Sequence, residues 1–302
     1  MRNEQELLVA IAKRTRATMP RTVALLHEAG SVTAAMGGGG DVDEDTRREV
    51  VGDVTSEDLE WAQKLVAEAE EAGARLVTIF DDAYPANLRD VHDQPPFLFY
   101  SGDLRPGGDR RAIAVVGTRQ ATDGGLEQAH RLGHDLAKAG VTVVSGLAAG
   151  IDTAAHRGAL EAGGRTIAVF GTGIRRVYPA ENRDLAVEVS RSGACVSQFW
   201  PNSPPTRRSF PQRNVVTSGL SVGTVVVEAS GKSGAAQQAR HALKHGRRLF
   251  LVESLVREDW ARELVGRPGV TVVHDVDEVL QVLDELSDPG RGPHESVQLT
   301  LA

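Results

Sequence analysis

The chain has 302 residues, of which 41% are hydrophobic and 4% are aromatic, so its core must rest mainly on Val, Leu, Ala and Ile. This length suffices for one large domain or two smaller ones. No apolar run approaches the roughly twenty residues of a membrane span, and the N-terminus lacks the features of a signal peptide. Cys195 is the only cysteine, which excludes an intrachain disulfide and a cysteine-based metal site. We expect a cytoplasmic protein without membrane association.

The net charge of −7 is distributed unevenly. Residues 101–252 carry 20 Lys and Arg against 11 Asp and Glu, whereas 1–100 carry 10 against 19 and 253–302 carry 4 against 11. A basic centre between acidic flanks indicates a polyanionic partner for the centre. Charge alone leaves open the alternative that the arginine-rich helix faces are simply solvated.

The beginning of the chain is predicted to be helical. The apolar spacing predicts helices over 4–35, with Pro20 as a break. A glycine-rich acidic run over 37–45 predicts a flexible connection. Ser56 is expected to cap the next helix, which has an acidic first turn. We therefore assign residues 1–70 to a helical N-terminal region with a Gly-rich acidic linker.

Strands and helices alternate over the second region, 71–286. Strands are predicted at 74–80, 112–116, 141–144, 166–170, 194–199, 222–228, 248–252 and 270–273. A Pro-rich connection after the first of them ends in a short apolar run, 97–100. Helices are predicted at 124–139, 151–162, 181–192, 234–245, 257–265 and 276–286. This alternation indicates an α/β domain with a mostly parallel sheet and helices on both faces. Right-handed crossovers then put every strand-to-helix turn on one edge of the sheet.

Glycine-rich turns follow several predicted strands. The first core strand ends at Gly117, Thr118 and Arg119. The segment 145–152, SGLAAGID, lies at a strand-to-helix junction, where small residues leave N–H groups unobstructed, so Ser145 and Gly146 predict a phosphate cradle. It is neither a Walker A loop nor a GxGxxG fingerprint. We expect Asp152 to cap the following helix and to form a local pair with His156 rather than a catalytic dyad.

Two later loops are rich in arginine. Arg175 and Arg176 follow the glycine turn of the third core strand and suit phosphate contact. The segment 204–214, predicted as a rigid loop, contains Arg207, Arg208, Phe210, Arg213 and Asn214. Arginines interleaved with an aromatic ring provide charge for a backbone and a π-face for an unpaired base. Lys232 adds a cation at the same edge. On these residues alone, a surface loop with its aromatic ring buried in the core is the alternative.

Catalytic and metal chemistry are not expected. His130 and His134, like His241 and His245, lie four residues apart on predicted helices, but no third ligand accompanies either pair in the sequence. Glu228 has no activated nucleophile near it in sequence, so we expect it to hold a turn or a neighbouring arginine. We predict no catalytic residue, no metal and no cofactor.

Six segments, taken in order, resemble the DNA-processing protein A family, also called DprA or Smf. They are GTR at 117–119, SGLAAGIDTAAHRGAL at 145–160, TIAVFGTG at 166–173, VYPAENR at 177–183, FPQRNVV at 210–216 and GLSVGTVVVEA at 219–229. The resemblance covers roughly residues 76–285. It implies an extended Rossmann-like domain that binds single-stranded DNA, forms a homodimer and helps to load the RecA recombinase in natural transformation.

The resemblance also implies site residues, carried over motif by motif. Arg119 and Arg207 would clamp backbone phosphates, and Phe210 would stack on or wedge beside a base. Ser145 and Gly146 would offer donors to a phosphate. The other expected DNA-binding residues are Gly117, Thr118, Arg175, Arg176, Arg208, Arg213, Asn214 and Lys232. Some members carry a C-terminal winged helix, which we do not expect in 287–302, a segment predicted to be a disordered tail.

A protein that handles a small nucleotide is the alternative function. The lysine-decarboxylase-like phosphoribohydrolases, which are also Rossmann-like, carry a PGG-x-GT-x-x-E motif. This chain has Gly223 and Thr224, but Glu228 lies one residue too far and PGG is absent. One residue turns a strand side chain to the opposite face, which argues against the hydrolase. A defence-type nucleotide sensor stays open, as does an assembly factor whose acidic N-terminal region recruits a protein.

Overall fold

The computed structural model describes residues 2–15, 18–37 and 43–287. Its strands are β1 (Arg75–Thr78), β2 (Phe97–Gly102), β3 (Ala112–Val116), β4 (Thr142–Ser145), β5 (Thr166–Val169), β6 (Ala194–Ser197), β7 (Gly223–Val226), β8 (Arg248–Val252) and β9 (Val270–Val273). Within these residues they form one nine-stranded sheet in the order β1-β2-β6-β5-β4-β3-β7-β8-β9. Neighbours from β3 to β9 pair in parallel, whereas β2 is antiparallel to β1 and to β6. The predicted mostly parallel sheet is confirmed.

Helices precede the sheet and connect its strands. They are α1 (Arg2–Arg14), α2 (Met19–Ala29), α3 (Val32–Gly37), α4 (Glu44–Val51), α5 (Ser56–Glu71), α6 (Ala86–Arg89), α7 (Asp123–Lys138), α8 (Ile151–Glu161), α9 (Arg183–Ser192), α10 (Ser209–Gly219), α11 (Gly234–Lys244), α12 (Asp259–Arg262) and α13 (Val276–Ser287). In the described part of the chain, no helix is long and apolar enough to cross a membrane. The first five form the helical region that the sequence predicts.

The predicted break near Pro20 is present, since α1 ends at Arg14 and α2 begins at Met19. Pro20 lies in the first turn of α2, where the N–H that proline lacks is unpaired anyway. One helix start differs from the prediction. Thr55, not Ser56, caps α5. Its hydroxyl accepts the N–H of Asp58 at 3.3 Å, and the Asp58 carboxylate accepts the N–H of Thr55 at 3.1 Å, which is a capping box.

Two predicted segments fall partly outside the described residues. Of the acidic connection over 37–45, residues 38–42 lie outside, and its last residues are helical because Asp43 caps α4 by accepting the N–H of Thr46 at 2.8 Å. Of the predicted tail, residues 288–302 lie outside. The tail therefore stays a prediction.

The largest difference concerns 204–214, which is a loop only as far as Arg208. From Ser209 onward the chain forms α10, so Phe210, Arg213 and Asn214 lie on a helix. Two hydrogen bonds between Thr206 and Ser209 hold the start of this helix. The Thr206 hydroxyl accepts the N–H of Ser209 at 3.0 Å, and the Ser209 hydroxyl accepts the N–H of Thr206 at 3.1 Å. The proline of FPQRN lies in the first turn, where proline is tolerated. The motif therefore begins a helix.

The sheet is covered on both faces, as predicted. Along β3, Ile113 and Val115 pack into the cluster that includes α7, α8 and α13, whereas Ala114 and Val116 pack into the cluster that includes α9, α10 and α11. Successive side chains of a strand point to opposite faces of the sheet, so one apolar strand contributes side chains to the core on each face. The central strands are consequently buried on both sides.

The order in which successive strands are added to the sheet reverses beside β3. From β3 the chain passes through α7 to β4 on one side, and from β7 it passes through α11 to β8 on the other side. In open α/β sheets, ligands bind in the crevice outside the carboxyl ends of the strands at such a switch point. The topology therefore points to the turns after β3 and β7.

Candidate nucleic-acid interface

A cleft of about 800 Å³ lies at this switch point. It is bounded by the turn after β3, the first turns of α10 and the start of α11. The predicted site residues that line it are Gly117, Thr118, Arg119, Arg207, Phe210, Arg213 and Asn214. The fold thus gathers more than half of the predicted residues at one place.

An exposed cation and two aromatic rings line one wall of this cleft. The guanidinium carbon of Arg119 lies over the ring of Phe210, and the rings of Phe210 and Tyr178 are 5.7 Å apart and tilted by 49°. Phe210 is half-buried and Tyr178 is 46% exposed. The ring of Phe210 thus lines the cleft beneath the guanidinium of Arg119 and is not fully enclosed in the core.

The position of Phe210 depends on the glycine turn after β5. A Cβ atom built on Gly171 would lie 2.6 Å from Cδ1 of the Phe210 ring, closer than carbon atoms approach one another. Glycine is required here because the ring lies directly on the backbone. The turn therefore supports the aromatic ring.

Arg213 and Asn214 line the cleft but point into the protein. Nη1 of Arg213 donates to the carbonyl of Val169 at 2.9 Å, and its side chain lies directly over Gly146. Asn214 is buried, and its Nδ2 lies 3.5 Å from the carbonyl of Gly234. Both residues tie α10 to neighbouring segments. We correct their predicted roles from DNA contacts to structural contacts.

The predicted phosphate cradle is filled by a carboxylate of the protein itself. Oδ2 of Asp152 accepts the N–H of Gly146 at 3.1 Å and that of Ala148 at 3.3 Å. Ser145 is fully buried, and its hydroxyl donates to the carbonyl of Val115 at 2.6 Å. We therefore correct the prediction that Ser145 and Gly146 face a phosphate, because their donors are already used.

The carboxylate of Asp152 is buried, and burial disfavours its charged form. Burial raises the pKa of Asp152, while the positive charge of Arg213 and the N–H bonds act in the opposite direction. Burial likewise lowers the pKa of Arg213, and Asp152 opposes that shift. Each of the two groups thus favours the charged form of the other.

His156 does not pair with Asp152, contrary to the prediction. Its Nδ1 lies 2.7 Å from the hydroxyl of Thr166, which donates its own proton to the carbonyl of Val143 at 2.8 Å. Nδ1 therefore carries the hydrogen and donates. Burial, with the nearby charge of Arg213, lowers the pKa of His156 to about 3. The ring is a neutral group of the core.

The prediction that Asp152 caps α8 is wrong, since α8 begins after Gly150 without a side-chain cap, but two other helices at this edge have side-chain caps. Glu228 accepts from both the N–H and the hydroxyl of Thr122, at 3.1 and 2.9 Å, and Thr122 in turn caps α7. Ser233 caps α11 by accepting the N–H of Ala236 at 3.2 Å. Glu228 thus holds a turn, as expected. Each cap occupies one N–H group of its helix, and the exposed arginine side chains are further groups suited to anions at this edge.

Further cations surround the cleft without lining it. Arg208 and Lys232 are exposed and adjoin lining residues. Arg175 and Arg176 are exposed on the turn after β5, and Nη1 of Arg175 lies 3.9 Å from the carboxylate of Glu68 on α5. The cationic surface therefore extends from the cleft toward the helical region.

Sequence reasoning missed several lining residues. They are Gln120, Tyr178, Ser233, Gln237 and Gln238. The signal for Tyr178 is an aromatic residue two positions after an arginine pair. Gln237 and Gln238 carry no comparable signal, since α11 resembles an ordinary surface helix in sequence, and Gln120 is a typical turn residue after β3.

Comparisons with known proteins place this chain in a family. The family model described as DNA recombination-mediator protein A matches residues 75–284. Protein Smf of Synechocystis is 38% identical over 190 residues, which are 62% of this chain and 48% of that protein. The DNA processing protein DprA of Bacillus subtilis is 33% identical over 224 residues, 74% of this chain and 75% of that protein. The chain thus spans about half the length of the Synechocystis relative.

Two solved structures share the fold. DprA of Streptococcus pneumoniae superposes with a TM-score of 0.72 at 27% identity, covering 91% of this chain and 97% of that one. DprA of Helicobacter pylori, which binds single-stranded DNA, superposes with a TM-score of 0.61 at 27% identity, covering 70% of this chain and 96% of that one. The matched motifs, the sheet and the relatives agree, and the chain belongs to the DNA recombination-mediator protein A family.

Proposed function

We propose that the cleft at the switch point binds single-stranded DNA, and that the protein acts as a recombination mediator in DNA uptake. The observation that carries this proposal is the row of Arg119, Phe210 and Tyr178, a cation and two accessible rings at one open cleft. An unpaired strand offers both a phosphate for the cation and a base face for the rings.

The side chains take separate roles in this proposal. Arg119 and Arg207 contact phosphates, because they are exposed and flank the rings. Phe210 and Tyr178 stack on a base. The more distant cations, Arg175, Arg176, Arg208 and Lys232, extend the path of the backbone by long-range attraction. Gly117 and Thr118 form the floor under the strand.

A single strand fits the cleft better than a free nucleotide does. Nucleotide phosphates in Rossmann-like folds bind to N–H groups at a helix N-terminus. Here Asp152 accepts the N–H groups of Gly146 and Ala148, and Ser233 caps α11, whose first turn lines the cleft. Phosphate recognition is thereby left to flexible arginines on the surface, which suits a continuous backbone.

Binding without catalysis is part of the same proposal. Of the acid–base groups near the cleft, Glu228 is engaged by Thr122, Asp152 by two N–H groups, and His156 is fully buried. A general base must reach the proton that it abstracts. The positions of these groups favour structural roles over hydrolysis of a nucleotide.

The deciding experiment is fluorescence anisotropy of a labelled oligo(dT), titrated with the full chain at several salt concentrations. We expect log affinity to fall linearly with log salt, and Arg119→Ala and Arg207→Ala each to reduce the slope by roughly 0.7. Arg191→Ala is the matched control, because Arg191 is exposed at the end of α9, on the opposite edge of the sheet.

Three outcomes would contradict the proposal. These are no binding at low salt, unchanged binding by both cleft variants, or a tight complex with a mononucleotide instead. Homodimer formation and delivery of DNA to RecA are the finer part of the proposal, supported by family membership. Light scattering measures whether the protein forms a homodimer. Delivery of DNA to RecA is measured as RecA filament formation on single strands bound by the wild type or by Arg119→Ala.

A further inference from the structure

Three metal-binding side chains meet at the sheet edge opposite the cleft. His92 and Asp93 follow α6, and His245 directly follows α11. Their ligand atoms lie within 4.8 Å of one another, and no other such group of three occurs among the described residues. We propose that His92, Asp93 and His245 bind a transition-metal ion, with Zn²⁺ as the ion that fits best.

The distances are compatible with one ion between the three groups. Nε2 of His245 lies 2.7 Å from Oδ1 of Asp93, and Nε2 of His92 lies 3.8 Å from Oδ2 of the same carboxylate. Zinc bonds of about 2.0–2.1 Å in a tetrahedron separate neighbouring donors by about 3.3 Å. His92 is exposed, so its ring can rotate to close the site. The ligand atoms therefore need to move only a short distance to hold one ion.

His245 is already oriented as a ligand. Its side chain is fully buried, and its Nδ1 lies 3.0 Å from the hydroxyl of Ser218 on α10. In metal sites, the second ring nitrogen of a histidine ligand is normally held by such a partner, which fixes the ring and its tautomer. Nε2 is then the nitrogen that faces Asp93 and the ion.

Asp93 provides the negative charge that a cation requires. Its Oδ1 faces Nε2 of His245 at 2.7 Å and its Oδ2 faces Nε2 of His92 at 3.8 Å, so both oxygens lie beside the proposed ion. When an ion binds, Nε2 of His245 would give up its hydrogen to coordinate the ion, and the ring hydrogen would lie on Nδ1, which faces Ser218.

A fourth nitrogen lies beside the cluster. His241 is one turn before His245 on α11, and the two ring centres are 6.1 Å apart. Among the described residues, Nδ1 of His241 is buried without a hydrogen-bond partner. A histidine with an unused ring nitrogen beside the cluster would supply the fourth ligand of a tetrahedral site.

The donor set selects the ion and indicates its role. Imidazole nitrogens with one carboxylate suit Zn²⁺, whereas Mg²⁺ and Ca²⁺ prefer oxygen ligands. The ion would join two segments 152 residues apart in sequence. It would therefore clamp the turn before β2 to the end of α11, away from the proposed DNA cleft.

The test is calorimetric titration of the metal-free full chain with ZnSO₄. We expect one ion per chain at micromolar or tighter affinity, and a loss of at least about tenfold in His92→Ala and Asp93→Asn. Ser218→Ala should weaken binding by about 10–100-fold, as loss of a partner that orients a ligand does. Because His92 is exposed, His92→Ala should keep the fold, which circular dichroism checks.

His274→Ala is the matched control. His274 is another exposed histidine beside two carboxylates, those of Glu253 and Glu278 at 3.4 and 3.2 Å, and its loss should leave zinc binding unchanged. Saturation only at millimolar zinc, unchanged affinity in His92→Ala, or an equal loss in His274→Ala would overturn the proposal. Oligo(dT) affinity should be the same in His92→Ala as in the wild type, which separates this site from the proposed function.

Discussion

Arg119 places its guanidinium carbon 4.8 Å from the ring centre of Phe210. The turn after β3 and the first turn of α10 thus present one joint surface to the cleft. A base stacked on this ring lies next to a charge that can hold its phosphate. In this pair Arg119 supplies the charge and Phe210 supplies the stacking surface. Single substitutions can therefore measure the contributions of charge and of stacking separately.

Phe210→Ala should weaken binding of oligo(dT) by about 1–3 kcal/mol, the usual contribution of one stacked base. The slope of log affinity against log salt should stay as in the wild type, because no charge is removed. Anisotropy titrations at three salt concentrations give both quantities. A slope reduced as much as in Arg119→Ala would show that the ring acts only by positioning the arginine.

Gly171→Ala should weaken DNA binding without changing any charged or aromatic residue. The added methyl group would lie 2.6 Å from the ring of Phe210 and must displace it. Gly124→Ala is the control, since a Cβ there meets nothing within 4 Å. Anisotropy with both variants checks the prediction, and equal affinities would mean that the exact position of the ring does not matter.

Asp152→Asn should lower the free energy of unfolding by about 1–3 kcal/mol, because an amide replaces the charged acceptor of two N–H groups. The substitution also removes the charge that offsets buried Arg213. Urea denaturation of the variant and of Asp184→Asn, an exposed aspartate on α9, measures the difference. An equally small effect in both variants would contradict the structural role of Asp152.

Stability should fall as pH falls below 6.5, and His156 should contribute to this. Its pKa is lowered from 6.5 to about 3 by burial, so between these values the unfolded chain binds a proton that the folded chain does not. Stability from this group is present above pH 6.5 and is lost as pH decreases. From pH 7.5 to 5, the wild type should lose about 2 kcal/mol more than His156→Gln.

Urea denaturation at the two pH values measures this difference. Other groups titrate in the same range, including His241, whose pKa is also lowered. They are present in both proteins, so the comparison isolates His156. Equal losses in wild type and variant would show that the ring is not held neutral.

Local sequence was sufficient for most of the α/β core. The predicted strands at 112–116, 248–252 and 270–273 coincide with β3, β8 and β9. A short apolar run between turns indicates both a preference for the strand conformation and burial in the core. The helix at 209–219 was missed, because it begins with Ser-Phe-Pro followed by the polar residues Gln, Arg and Asn, a sequence that resembles a loop. Its start depends on the reciprocal bonds of Thr206 and Ser209.

The sequence by itself determined the family, the order of the elements and the arginines and ring of the cleft, since these depend on residue type and spacing. Only the tertiary structure decided which donors are free. Gly146 looks like an open phosphate donor in sequence, and it is occupied because Asp152 folds back over it. His245 has no hydrogen-bond partner for its ring near it in sequence, and it gains Asp93 as a partner because α10 packs against both α6 and α11. Hydrogen bonds and ligand sets depend on distances between remote segments, which packing sets and local pattern does not encode.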